Sequence, residues 1–205
     1  MKKLVTISRE YGSGGRMIGQ LIARKLNVPF FDKDVIDAAI MKQGYSKETI
    51  EEAELKAKNG FSYGLSLALF RNDVGGAESL SLNEKIFLAN YNVIQEICKG
   101  GEGVIVGRCA DYILDEVPGV TNVFCYAELE DRVARAIDEY NIDKKNALKV
   151  VEDYDKSRHN YYKYHTGKKW GDAKNYNLMI NTSYISLEAT ADLVCTYVNK
   201  RTYKD

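Results

Sequence analysis

The sequence has no surplus of either charge: 29 Lys and Arg residues stand against 29 Asp and Glu. A broadly basic surface for nucleic acid is therefore not expected, and any bound anion must be held by a local cluster. Histidine is scarce, with only His159 and His165, too few for a metal centre built on imidazole. The four cysteines, Cys98, Cys109, Cys125 and Cys195, are scattered and never form C-x-x-C. Buried reduced thiols are expected rather than a disulfide framework or a zinc site. No apolar run approaches the roughly 18 residues of a membrane span. The stretch from Met1 to Arg9 has the basic flank of a signal peptide, but its apolar run stops too soon, so a cytoplasmic protein is expected.

What is present is the composition of a folded domain. Of 205 residues, 45% are hydrophobic and 28% charged, enough for one compact domain or one with inserted lobes. Leu4-Val5-Thr6-Ile7 is a β-branched run that gives way to Gly12-Ser13-Gly14-Gly15, a stretch suited to a tight turn. Ile18, Ile22 and Leu26 then recur on one helical face, and Pro29 ends that helix before Phe30-Phe31. Further apolar runs at Val104–Val106, Val120–Tyr126 and Leu178–Ile180 make five short strands. Helices are expected at 33–44, 46–58, 82–99, 129–140, 143–165 and 187–200, with 59–81 rich in Gly and Ser. Strands alternating with helices predict a parallel sheet covered on both faces.

Five groups of residues suggest chemistry. A Gly-rich turn between a strand and a helix presents backbone N–H groups at the positive helix end, a geometry that binds phosphate; a turn serving chain geometry alone is the other reading. A side chain at Gly14 is expected to block that approach. Arg108 follows the third strand, where open α/β sheets bind ligands, or it is paired with a carboxylate such as Asp111. Arg132 and Arg135 lie one helical turn apart just beyond the fourth strand. They can face one anion or pair with Glu128, Asp131 or Glu139. Asp155 and Arg158, at i and i+3, pair with each other or face a ligand together. Tyr154, Tyr161, Tyr162 and Tyr164 supply aromatic surface for a base or for helix packing.

Taken together, these segments resemble the P-loop nucleoside monophosphate kinases, most closely the cytidylate kinase-like family. The resemblance spans nearly the whole chain. It rests on Ile7-Ser8-Arg9-Glu10-Tyr11-Gly12-Ser13-Gly14-Gly15-Arg16, Val106-Gly107-Arg108-Cys109-Ala110-Asp111, Asp155-Lys156-Ser157-Arg158 and Ile180-Asn181-Thr182-Ser183. It implies a three-layer α/β sandwich on a five-stranded parallel sheet, with a core of residues 1–32, 100–140 and 173–205. A helical monophosphate-binding lobe would occupy 33–99 and a helical lid 141–172. It also implies transfer of the ATP γ-phosphoryl group with Mg²⁺ to a nucleoside monophosphate, CMP or dCMP being the default acceptor.

By resemblance, Arg9, Gly12, Ser13, Gly14, Gly15, Arg16 and Met17 would line the donor site. Arg16, Arg108, Arg132, Arg135 and Arg158 would be catalytic, and Arg108, Asp155 and Arg158 would hold the acceptor. The sequence departs from the pattern in several places. Gly15 stands where the phosphate-binding Lys is expected, Arg16 one place later, and Met17 at the usual Thr. Arg16 is the expected replacement cation and Arg9 the alternative. Cys109 replaces an Asp, Val151 stands where another lid Arg would be, and Phe31-Asp32-Lys33-Asp34 lacks the usual acceptor-lobe residues. A nucleotide-binding regulator with a degenerate loop, or a kinase of another phosphorylated metabolite, are the other expectations.

Overall fold

The computed structural model describes residues 3–56 and 80–202. Five strands form one parallel sheet: β1 (Lys3–Arg9), β2 (Phe30–Phe31), β3 (Glu102–Val106), β4 (Val120–Tyr126) and β5 (Leu178–Asn181). Their spatial order is β2-β3-β1-β4-β5. Ile7 of the central strand lies opposite Val106 on one side and Val123 on the other. The helices are α1 (Gly15–Leu26), α2 (Lys33–Met41), α3 (Lys47–Lys56), α4 (Leu82–Lys99), α5 (Ala110–Ile113), α6 (Leu129–Asp138), α7 (Ala147–Thr166) and α8 (Leu187–Lys200).

Side chains alternate across the pleat, so the sheet feeds two cores. Val5, Ile7, Val104, Val106 and Val123 pack with Ile18 and Ile22 of α1 and Val194 and Val198 of α8. Leu4 and Ile105 point the other way, toward Ile36 and Ile40 of α2, Phe87 and Ile94 of α4 and Ile113 of α5. The expected sandwich covered on both faces is therefore what the chain forms.

The expected helix boundaries shift where local hydrogen bonding overrides periodicity. The helix expected at 129–140 stops at Asp138, followed by Asn141 in the left-handed region at φ 55°. The one expected at 143–165 starts only at Ala147, because the Asp143 carboxylate takes the Lys145 backbone N–H at 2.7 Å and holds a turn there. Helix α2 ends at Met41, three residues before the expected end. The single-turn α5 is too short for any periodic signal. The Gly- and Ser-rich stretch 59–81 lies outside the described residues except at its end, as do the last two residues of the helix expected at 46–58. At its described edge Ser81 caps α4 with a capping box to Glu84.

Candidate active site

The loops after β1, β3, β4 and β5 gather at one sheet edge, where parallel strands present their carboxyl ends. The Gly-rich loop after β1 is held from several sides. Gly12 and Gly14 have φ of 81° and 77°, a region that glycine enters without strain. A Cβ on Gly12 would overlap the Arg132 backbone oxygen. The fully buried Ser13 donates its hydroxyl to the Glu10 carbonyl at 2.9 Å, while Thr182, just past β5, donates to the Ser13 carbonyl at 2.8 Å. A Cβ on Gly14 would lie 2.6 Å from Leu187 Cδ2 of α8. A side chain there would thus press on α8 in a strained backbone conformation, a structural cost beside the expected block of the phosphate approach.

The candidate arginines divide into two groups. Arg9, Arg108 and Arg158 line a cleft of about 210 Å³, together with Lys33, Glu54 and Tyr161. Arg132, Arg135 and Arg16 do not line it. Arg132 reaches the Tyr11 carbonyl at 3.4 Å and pairs with Asp155 and, at 3.4 Å, Glu10. Arg135 donates to the Gly12 carbonyl at 2.5 Å. Both brace the loop from α6. Arg16 is 56% exposed and gives Nε and Nη2 to Asp32 at 2.9 and 2.6 Å. Met17, half-buried in the same helical turn, offers no oxygen.

Asp155 is also drawn to the loop. It accepts the Tyr11 backbone N–H at 2.7 Å and pairs with Arg132, and Arg158 lies 3.6 Å away. Tyr11 stacks on Tyr154 with centroids 4.4 Å apart, and the Arg158 guanidinium sits 5.4 Å from the Tyr11 ring. The loop and α7 therefore meet through charge, backbone hydrogen bonding and ring stacking at once.

The cations inside the cleft differ in their partners. Among the described residues Arg9 makes no ion pair. Burial, with Arg158 and Arg108 nearby, pulls its pKa down to about 9. Arg158 is likewise lowered by burial, partly offset by Asp155. Arg108 is the opposite case. Its side chain is 6% exposed, and its two terminal nitrogens bind Glu54 and Asp37. Burial opposes its charge, but those carboxylates and Tyr161 outweigh it and raise its pKa. Lys33 binds the same pair, at 2.7 Å to Asp37 and 2.9 Å to Glu54. Arg108 and Cys109 have φ of 58° and 54°, a left-handed backbone that is costly for non-glycine residues and aims the guanidinium inward.

Of the Lys33–Asp37–Glu54–Arg108 quartet only Arg108 is among the expected site residues. The i, i+4 spacing of Lys33 and Asp37 was its only local signal. Asp111, expected as a partner for Arg108, instead accepts the Tyr162 hydroxyl at 2.7 Å.

That hydrogen bond carries a pH signature. Burial raises the Asp111 pKa to about 6, against the opposing pull of the Tyr162 hydroxyl, its own and Tyr112's backbone N–H groups, and Lys168. The native state thus keeps a proton between about pH 4 and 6 that the unfolded chain has released, and stability falls as pH rises through this window. Asp111→Asn should flatten that slope. Subtracting the variant's melting temperature from that of the native protein, point by point from pH 4 to 7, should give a falling curve; a level one would contradict the assignment.

A model of the cytidylate kinase-like family matches residues 4–184. No curated protein sequence matches the chain. Among solved structures, an uncharacterized protein from Eubacterium ventriosum is 23% identical, covering 98% of this chain and 100% of its own, with a TM-score of 0.73. A shikimate kinase from Bacteroides thetaiotaomicron is 14% identical, with coverages of 97% and 99% and a TM-score of 0.54. A sugar kinase from Janibacter is 12% identical, with coverages of 97% and 95% and a TM-score of 0.53. At these identities the structures share a fold with this chain, and that fold is one kinases use.

Proposed function

Because the chain belongs to the cytidylate kinase-like family, we propose that it is an ATP-dependent kinase transferring the γ-phosphoryl group to a small acceptor in the cleft. One observation carries this reading: Arg9 without an ion pair among the described residues, and Arg158 with its nearest carboxylate at 3.6 Å, face one cleft beside a glycine-rich helix start. One cation without an ion pair and a second only loosely paired, beside a helix N-terminus, favour a polyanion such as a triphosphate.

Phosphoryl transfer breaks the bond between γ-phosphorus and the bridging oxygen and forms one to the acceptor oxygen, with ADP leaving. It asks the protein for alignment, exclusion of water and positive charge rather than covalent help. In this reading the Gly-rich loop and Arg9 hold the donor, Arg132 and Arg135 keep the loop in shape, and Arg158 meets the transferring group from a lid of residues 141–172. The acceptor lobe would be residues 33–99, of which 57–79 lie outside the described residues. When bound, Mg²⁺ neutralises charge between the β- and γ-phosphates. Its ligands would be chiefly the phosphates and water, since Ser13 is committed to Glu10 and Asp32 to Arg16. No group of three or more His, Cys, Asp or Glu among the described residues could hold a metal ion. The four cysteines are unpaired and buried, which supports a reducing, cytoplasmic setting.

The family points to a nucleoside monophosphate as acceptor, CMP or dCMP first, with its phosphate against Arg108. A second reading has an observation of its own. The quartet sets two cations against two carboxylates and leaves Arg108 with both terminal nitrogens occupied. Such a balanced surface suits an uncharged hydroxyl compound better than a second phosphate, which would have to displace buried carboxylates.

ADP production from MgATP separates these readings when measured against nucleoside monophosphates and against small sugars and polyols. Turnover with CMP or another monophosphate supports the first, turnover confined to hydroxyl compounds the second. MgATP binding with no turnover on either panel would make the protein a nucleotide-binding regulator and remove the kinase reading.

A further inference from the structure

Measured against the pattern G-x-x-x-x-G-K-[ST], with Gly14 as the second glycine, this loop carries two exchanges at once. The Lys position is Gly15, and the position of the first glycine is Arg9. The two sites touch. A Cβ on Gly15 would lie 2.6 Å from Arg9 Cβ and 2.9 Å from its Cγ, so any side chain at 15 requires Arg9 to move. At the far end, a Cβ on Gly107 would overlap Arg9 Nη1.

The backbone does not explain Gly15. It opens α1 and is not among the glycines of positive φ, unlike Gly12, Gly14 and Gly107. A residue in an ordinary helical conformation gains nothing from lacking a Cβ except room. Here the room is filled by the stem of Arg9. Its guanidinium ends in the cleft beside Arg158, whose Nη1 donates to the Arg9 carbonyl at 3.2 Å. Arg16, the nearer residue to the expected position, is occupied by Asp32 and stays outside the cleft.

We propose that Arg9 takes the place of the missing P-loop lysine. It reaches the donor's terminal phosphates through a corridor that is open because residues 15 and 107 are glycines. The proposal rests on the donor-site reading above and adds which residue supplies the charge and why its neighbours are small. Of the three cleft arginines, Arg108 is held by Asp37 and Glu54 and Arg158 pairs with Asp155, so among the described residues Arg9 is the one left without an ion pair for an entering anion.

The test is calorimetric binding of MgATP, inorganic tripolyphosphate and adenosine to the full chain, with melting temperatures recorded beside it. Arg9→Met, which keeps the stem packing, should weaken MgATP and tripolyphosphate about tenfold or more and leave adenosine unchanged. Arg16→Ala should stay within about twofold of the native protein. Gly15→Lys alone should lose affinity through overlap with Arg9, and Arg9→Gly combined with Gly15→Lys, which restores the ordinary arrangement, should regain it. If Arg9→Met does not fold, the double variant decides: a folded double variant that fails to bind tripolyphosphate overturns the proposal. So does native affinity in Arg9→Met, or a loss confined to Arg16→Ala. A native protein that binds neither MgATP nor tripolyphosphate removes the donor-site reading itself, a result distinct from either.

Discussion

Arg108→Ala should lower stability by about 3–5 kcal/mol, because it strands Asp37 and Glu54 beside a cavity with only Lys33 to share between them. For a chain of this size that corresponds to a melting temperature roughly 10 °C lower. The cause is the two uncompensated carboxylates rather than the lost arginine. Adding Asp37→Asn and Glu54→Gln to Arg108→Ala should therefore recover a substantial part of the deficit. Thermal denaturation of the native, single and triple variants checks this. A single variant that melts within about 2 °C of the native protein would mean that solvent reaches the quartet and relieves it. The strain at position 108 does not confuse the comparison, since alanine meets the same penalty as arginine at φ 58°.

Arg158→Ala should cut turnover about 100-fold, the usual loss when one preorganised donor to the transition state is removed. Its ground-state contacts are modest: one hydrogen bond to the Arg9 carbonyl, a 3.6 Å ion pair with an Asp155 that also serves Arg132, and the faces of Tyr11 and Tyr154, at 5.4 and 6.0 Å. Stability should consequently fall by only about 1 kcal/mol, and MgATP affinity much less than kcat. Arg158→Lys should recover part of the rate, because a point charge returns without the planar fork. Steady-state kinetics on whichever acceptor turns over, read beside the melting temperature, separates these effects. An unchanged kcat in a folded Arg158→Ala variant would place this arginine outside the transition state. A parallel collapse of kcat and stability would make it a structural brace like Arg135.

The two predictions differ because their arginines, similar in sequence, have different surroundings in space. Arg108 and Arg158 both read as cations near a strand end or on a charged helix. Neither local context reveals that one is enclosed by carboxylates from α2 and α3 while the other leans on aromatic rings. The same holds for Arg9 and Arg16, which flank one Gly run. Asp32, beyond β2, takes Arg16 away from the cleft, and Gly107, beyond β3, makes space for Arg9. Asp155 was legible as an i, i+3 neighbour of Arg158. Its nearer partners, the Tyr11 N–H and Arg132, come from the Gly-rich loop and α6.

The sequence by itself determined the layered α/β architecture. Apolar runs such as Val104-Ile105-Val106 can be satisfied only with both faces covered, and the Ile18–Ile22–Leu26 spacing supplies one of the covering helices. It also determined where chemistry would gather, since parallel strands joined by helices deliver their loops to one edge. The tertiary structure alone decided which arginines face the cleft, which brace the loop, and which are neutralised. Periodicity acts over a few residues and is written in the chain. The partner of a charge is set by packing between segments tens of residues apart, and a buried cation's availability depends on whether that packing brings it a carboxylate or a glycine.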